Sequence, residues 1–151
     1  MTLPIEKEAI FPRLDGIRKN IAKLRELAKI PFNQFKTGDP FDLAQHHLRL
    51  ALEGVFNIAT HLLSRIPGGR AVEYKEIARK MGQSGLVPAE FAERALVPMA
   101  GLRNFLVHAY ADINPKKLYE ILNQHLNDVE FYLEQIKNIL EAPEKFGFEM
   151  N

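Results

Sequence analysis

Apolar side chains return along this chain in steps of three and four. Ile10, Leu14, Ile17, Ile21, Leu24 and Ala28 form one such series, and Leu48, Leu52, Val55, Ala59, Leu62 and Ile66 a second. Leu118, Leu122, Leu126, Val129, Leu133, Ile136 and Leu140 form the longest, and Phe91, Ala95, Leu102, Leu106 and Ala109 a looser one. Such steps keep one face of an α-helix apolar, so each series predicts a helix burying one stripe against a shared core. No segment alternates convincingly with period two. The pattern predicts an all-α protein.

The breaks between the series are marked by turn chemistry. "PFNQFKTGDP" separates the first two long helices, with Asp39 or Asp42 as candidate N-cap of the second. "PGG" at Pro67 to Gly69 ends that helix, and a shorter one is predicted from Glu73 to Met81, stopped by Gly82. Pro88 fits the first position of the next helix. "DINP" closes it and opens the last, with Asn114 as N-cap and Pro115 behind it. Pro12 either begins the first helix proper or kinks it, and Pro98 is expected to bend the fourth helix just ahead of Gly101.

Length and composition narrow the class further. A chain of 151 residues with 46% hydrophobic content reads as a single globular domain over 1–151. A loose tail is expected from about residue 141, with Phe146 and Phe148 as its means of packing. The formal charge of +1 argues against a nucleic-acid footprint spread over the surface, although the 20 Lys and Arg residues leave room for a local basic site. The chain has no cysteine, which excludes thiolate chemistry and fits a reducing cytoplasm. The N-terminus does not read as a signal peptide, and no apolar run approaches the roughly 18 residues of a membrane span.

The candidate chemistry lies in "GLRNFLVHAY", Gly101 to Tyr110. On a helix, Arg103 and Tyr110 fall on nearly one face, two turns apart, and Asn104 and His108 pair on the adjoining face. A guanidinium binds phosphate through a planar fork, and an imidazole takes or gives a proton near neutral pH. Together Arg103 and His108 can cleave RNA without metal, with Asn104 orienting the imidazole or holding a phosphate oxygen. One helix carries one such imidazole, so two-sided acid–base catalysis favours a dimer. Spacing alone equally describes a solvated or ion-paired helix face, with Tyr110 a boundary aromatic.

"RNFLVHAY" resembles the R-x4-H-x-Y motif of the HepT-like toxins in the HEPN superfamily. The "Y-K-E-I-A…G" helix, the "GLVPAEFAERALVPMAGLRN" run and the last amphipathic helix extend the resemblance from about the second helix to residue 140. It implies an antiparallel four-helix bundle with an additional short helix, forming a homodimer whose motif helices share a cleft. It further implies a metal-independent endoribonuclease toxin acting on RNA through Arg103 and His108. Its expected partner is a minimal nucleotidyltransferase antitoxin of the MntA type, which would transfer AMP to Tyr110. The competing reading is a non-enzymatic module that binds nucleotide or substrate for a nucleotidyltransferase; a purely structural bundle is the third.

Beside the motif, Gln45, Arg49, Glu53, Asn57 and His61 climb the second helix in steps of four. Their simplest reading is a solvated ladder with an Arg49–Glu53 pair. Glu53 and Asn57 are also candidates to support Arg103 or a residue of a partner. His46, His47, His61 and His125 lack metal-ligand spacing, His47 and His61 lying about 21 Å apart along one helix. Neither a metal nor a cofactor is expected.

Overall fold

The computed structural model describes residues 3–150, apart from the side chain of Tyr110. The first stripe forms α1, Lys7–Ala28, which buries Ile10, Leu14, Ile17, Ile21, Leu24 and Leu27. Pro12 lies within α1 rather than opening it. The following break folds a single turn, α2 (Phe32–Phe35), whose Phe35 is fully buried against Tyr119 and Phe41. The second stripe forms α3, Asp39–Ser64. Neither predicted aspartate caps it. Gly38 does so at φ 79°, and Asp39 and Asp42 sit in the first turn, where their charge meets the positive end of the helix.

A short α4, Tyr74–Gln83, follows with Glu73 as N-cap. Pro88 likewise stands one position earlier than expected, capping α5 (Ala89–Phe91). The chain then widens into a π turn over Ala92–Leu96 and continues as α6, Val97–His108. Pro98 explains the widening. Its ring has no N–H and would clash with the carbonyl four residues back in a regular α-helix. The wider turn, in which Val97 N–H reaches Ala92 O, relieves that conflict ahead of the proline.

The last stripe, expected as one helix, is divided into α7 (Pro115–Gln124) and α8 (Leu126–Glu141). Asn114 caps α7 as predicted, its Oδ1 accepting from the backbone of Lys116 at 2.8 Å and Lys117 at 3.3 Å. His125 leaves helical geometry at φ −118° because the two halves are tied to different partners. Tyr119 of α7 donates to Ile30 O at 2.7 Å, beyond the end of α1. In α8, Asn127 and Glu130 accept from Arg25, and Tyr132 donates to Val55 O at 2.7 Å. Tyr132 is fully buried, and burial raises its phenol pKa, so it stays a neutral donor.

These cross-links give the arrangement. Glu6, before α1, meets His61 and Arg65 at the end of α3, while Asn20 meets His47 near its start, so α1 and α3 run antiparallel. The start of α8 meets the end of α1, making that pair antiparallel too. α1, α3, the α5–α6 segment and α7–α8 enclose one core, with α4 as the additional short helix. No described residue belongs to a β-strand, and the all-α expectation holds. Each fully buried Leu or Ile in this core contributes roughly 1.5–3 kcal/mol. No helix among the described residues is long and apolar enough to cross a membrane.

The tail packs through Phe148, one of the two aromatics the sequence offered for it. After a 3-10 turn over Pro143–Phe146, Gly147 takes φ 79°, a conformation favouring glycine, and turns the chain inward. Phe148 is thereby buried, and Ile5 N–H donates to Glu149 O at 2.7 Å, closing the two ends of the chain together.

His61 secures the same end of the molecule. Glu6 N–H donates to His61 Nε2 at 3.1 Å, a bond that requires the neutral ring. Burial lowers the His61 pKa from its ordinary 6.5, Arg65 and Arg13 lower it further, and Glu6 opposes them. A folded pKa below the unfolded one gives stability that is complete above about pH 6.5 and lost as pH falls through the folded value. The thermal midpoint is therefore expected to drop between about pH 7 and about pH 5. His61→Gln, whose amide oxygen still accepts but does not titrate, is expected to flatten that drop. Equal pH slopes for parent and variant would contradict the assignment.

Candidate functional site

α6 carries the polar motif, and two other elements, α3 and α4, shape its surroundings. Arg103 projects from α6 toward α3 and the start of α4, with its side chain only 18% exposed. Its Nη2 lies 3.9 Å from Glu53 Oε1, and its Nη1 donates to Asn104 Oδ1 at 3.4 Å. Glu53 is held more closely by Arg49, at 3.0 Å one turn earlier on α3. Beneath Arg103 lies the ring of Tyr74, the first residue of α4, with the guanidinium carbon 4.3 Å from the ring centroid. The Tyr74 ring in turn meets the fully buried Phe56 edge-on, with centroids 5.2 Å apart.

Arg103 Nε is buried and has no hydrogen-bond partner among the described residues. Buried polar atoms are nearly always paired, so this one stands out among the described side chains, whose other buried N and O atoms are all bonded. The Glu53 and Asn104 contacts are long, and neither grips the guanidinium as a carboxylate fork would. The arrangement is a confined cation with donors still to spend.

An open cleft of about 430 Å3 adjoins this group, lined by Gln45, His46, Arg49, Glu53, Arg103, Leu106 and Val107. The structure thus brings Glu53 and Asn104 to Arg103; the sequence offered Glu53 as a support for Arg103, whereas it paired Asn104 with His108. Asn57 is not brought in; it is exposed one turn further along α3 and does not line the cleft. His108 is the exposed final residue of α6, about 7.5 Å beyond Arg103 along the helix axis. It lies outside the cleft lining, as Asn104 does. Phe105, between them in sequence, is 39% exposed.

The helix stops short of Tyr110, so the helical spacing that put it on one face with Arg103 does not extend to it. α6 ends at His108, Ala109 departs to φ −137°, and Tyr110 opens a 3-10 turn through Asp112. The Tyr110 side chain lies outside the described residues. The polar ladder on α3 also divides in two. Gln45, Arg49 and Glu53 belong to the cleft, whereas His61 serves the N-terminal backbone.

Sequence reasoning missed Tyr74 and His46. Both come from other helices, and the only available signal was their place at the start of α4 and on the Arg49–Glu53 side of α3. His46 puts an imidazole on the wall of the Arg103 cleft, which His108 does not line.

The family model for ribonuclease HepT-like proteins matches residues 17–136, spanning α3, α4, the motif and most of α8. The chain belongs to the ribonuclease HepT-like family. Its curated relatives include the tRNA nuclease HepT of Aphanizomenon flos-aquae, 27% identical over 137 residues, or 90% of this chain and 92% of that one. They also include the mRNA nuclease HepT of Shewanella oneidensis, 26% identical over 91 residues, 60% of this chain and 68% of that one. Among solved structures, a tri-AMPylated Shewanella oneidensis HEPN toxin in complex with MNT antitoxin matches with a TM-score of 0.78 at 23% identity. It covers 87% of this chain and 98% of that one. At that identity the likeness establishes the shared HepT-like fold.

Proposed function

We propose that the protein is the toxin of a toxin–antitoxin pair, an endoribonuclease that cuts RNA without metal and is silenced by AMP on Tyr110. The observation that carries this reading is Arg103: a confined guanidinium with unspent donors, on the helix that also presents the exposed His108. The curated nuclease relatives support the substrate class, and the AMP-bearing relative in complex with an antitoxin supports the control.

In this reaction the ribose 2′-oxygen attacks the adjacent phosphorus and the bond to the 5′-oxygen breaks. The products are a 2′,3′-cyclic phosphate and a free 5′-hydroxyl. His108 takes the 2′-hydroxyl proton or supplies one to the leaving oxygen. Arg103 faces the charge that builds on the equatorial phosphoryl oxygens, and Asn104 supports it. Glu53 restrains Arg103 at 3.9 Å without occupying both of its ends, because Arg49 holds Glu53 more tightly. Action as a homodimer brings two α6 helices to one RNA and fits the exposed Phe105 beside the motif. An RNA substrate and a nucleotide-using partner support a cytoplasmic site of action.

Silencing adds a nucleotide at the end of α6. The Tyr110 hydroxyl attacks the α-phosphorus of ATP, pyrophosphate leaves, and the phenolic proton passes to solvent. The new phosphodiester adds negative charge and bulk two residues beyond His108 in the chain, and that charge repels RNA. Co-expression with the cognate nucleotidyltransferase is expected to add AMP mass to the peptide containing Tyr110 and to abolish cleavage. A peptide of unchanged mass from inhibited protein would refute this route. Nucleotide binding that survives His108→Ala, in a protein that never cuts RNA, would favour the non-enzymatic binding module instead.

A further inference from the structure

We propose that Tyr74 is the positioning residue for Arg103, fixing the plane of the guanidinium so that its edge stays available to phosphate. The inference rests on the ribonuclease reading for its consequence, but the contact itself is independent of activity.

The partners of Arg103 do not define its orientation by hydrogen bonds. The Glu53 contact, at 3.9 Å, is at the outer limit of an ion pair, and that carboxylate already engages Arg49 at 3.0 Å. The Asn104 bond is long at 3.4 Å, and Nε has no partner among the described residues. The close contact is with the Tyr74 ring, at 4.3 Å from guanidinium carbon to centroid and well inside the range of a cation–π interaction.

The two kinds of contact differ in what they leave free. A carboxylate meets the guanidinium at its edge and consumes the N–H donors that would bind phosphate. An aromatic ring meets its face, stabilises the charge, and leaves the in-plane donors unused. A site that must hold an arginine still and yet keep its fork open is served better by a ring.

Tyr74 is itself well held. It opens α4, whose Ile77, Ala78 and Met81 are buried, and its ring packs edge-on against Phe56 from α3. α4 therefore carries the core's rigidity to the guanidinium face. The ring does this work and the hydroxyl does not, so phenylalanine should substitute for it.

The test uses the full-length, unmodified protein with Tyr74 replaced by Phe, by Leu, and by phenylalanines bearing one, two and three fluorines. Fluorination drains the ring face of electron density while barely changing its size. Tyr74→Phe is expected to cut RNA within about twofold of the parent, and Tyr74→Leu about tenfold more slowly in kcat, the fold-change of a partly desolvated cation–π contact. The fluorinated series should fall stepwise at constant thermal midpoint, and in an Arg103→Ala background it should be flat. Equal rates across the series, or a slope that persists without Arg103, would overturn the proposal.

A second readout needs no RNA. The Arg103 Nε–H resonance should carry a ring-current shift that Tyr74→Phe keeps and Tyr74→Leu removes. If the resonance does not move in Tyr74→Leu, the contact is absent in solution and the proposal fails. If the shift behaves as expected while no variant or parent cuts RNA, the ribonuclease reading fails and the positioning contact stands.

Discussion

His108→Ala is expected to cleave single-stranded RNA about 10²–10⁴-fold more slowly than the parent, the range for losing a general acid or base. The side chain ends α6 and is exposed, so its removal leaves no cavity and no unpaired group in the core. Surface changes of this kind usually alter stability by no more than about 0.5 kcal/mol, and the thermal midpoint should barely move. The loss of rate is then a loss of chemistry and not of fold. Because the position is open to solvent, added imidazole should restore part of the activity to the alanine variant. Cleavage by His108→Ala at the parental rate would remove the imidazole from the mechanism altogether.

Arg103→Ala should cost about 10²–10³-fold in kcat, as when a preorganised donor to developing negative charge is deleted. Here the structure makes a sharper statement than the motif does. Removing Arg103 also removes a buried Nε donor that has no partner among the described residues, and Glu53 retains its 3.0 Å partner Arg49. The stability change should therefore stay within about 1 kcal/mol despite the partial burial of the side chain. Binding to single-stranded RNA should lose about 0.7 from the slope of log affinity against log salt, one phosphate contact fewer. Arg103→Lys should not restore the rate, because a point charge replaces the planar fork. Full activity in Arg103→Lys would show that charge alone suffices, and that the held plane of the guanidinium has no role.

The apolar stripes were legible because helical burial is a local rhythm. Ile10 through Leu24, Leu48 through Leu62 and Leu118 through Ile136 are buried where three-and-four spacing places them. Asn114 was legible for the same reason, a cap being decided within three residues. What escaped the sequence depends on contacts between distant segments. The break at His125 separates a helix bound to Ile30 from one bound to Arg25 and Val55, and no local signal marks it. Phe148 was offered by the sequence as a packing residue of the tail, but the bond from Ile5 N–H to Glu149 O, which joins segments far apart in the chain, was not.

The site divides along the same line. Arg103, Asn104 and His108 were found from one helix, and Glu53 from its place in the α3 ladder. Asn57 has the same spacing from Glu53 that Glu53 has from Arg49, yet it points away from the cleft, since a four-residue step drifts around the helix. Tyr110 was assigned to a helical face by extrapolating α6 past its end at His108. Tyr74 and His46 approach from other helices, where pattern along the chain says nothing of proximity.

The most direct test of the central claim is to incubate the purified protein, freed of AMP on Tyr110, with end-labelled single-stranded RNA in excess EDTA and to identify the product ends. Cleavage is expected to leave 2′,3′-cyclic phosphate and 5′-hydroxyl ends and to slow by about 10²-fold or more in both His108→Ala and Arg103→Ala. Intact RNA, or cleavage that appears only with a divalent metal and leaves 3′-hydroxyl ends, would contradict the claim.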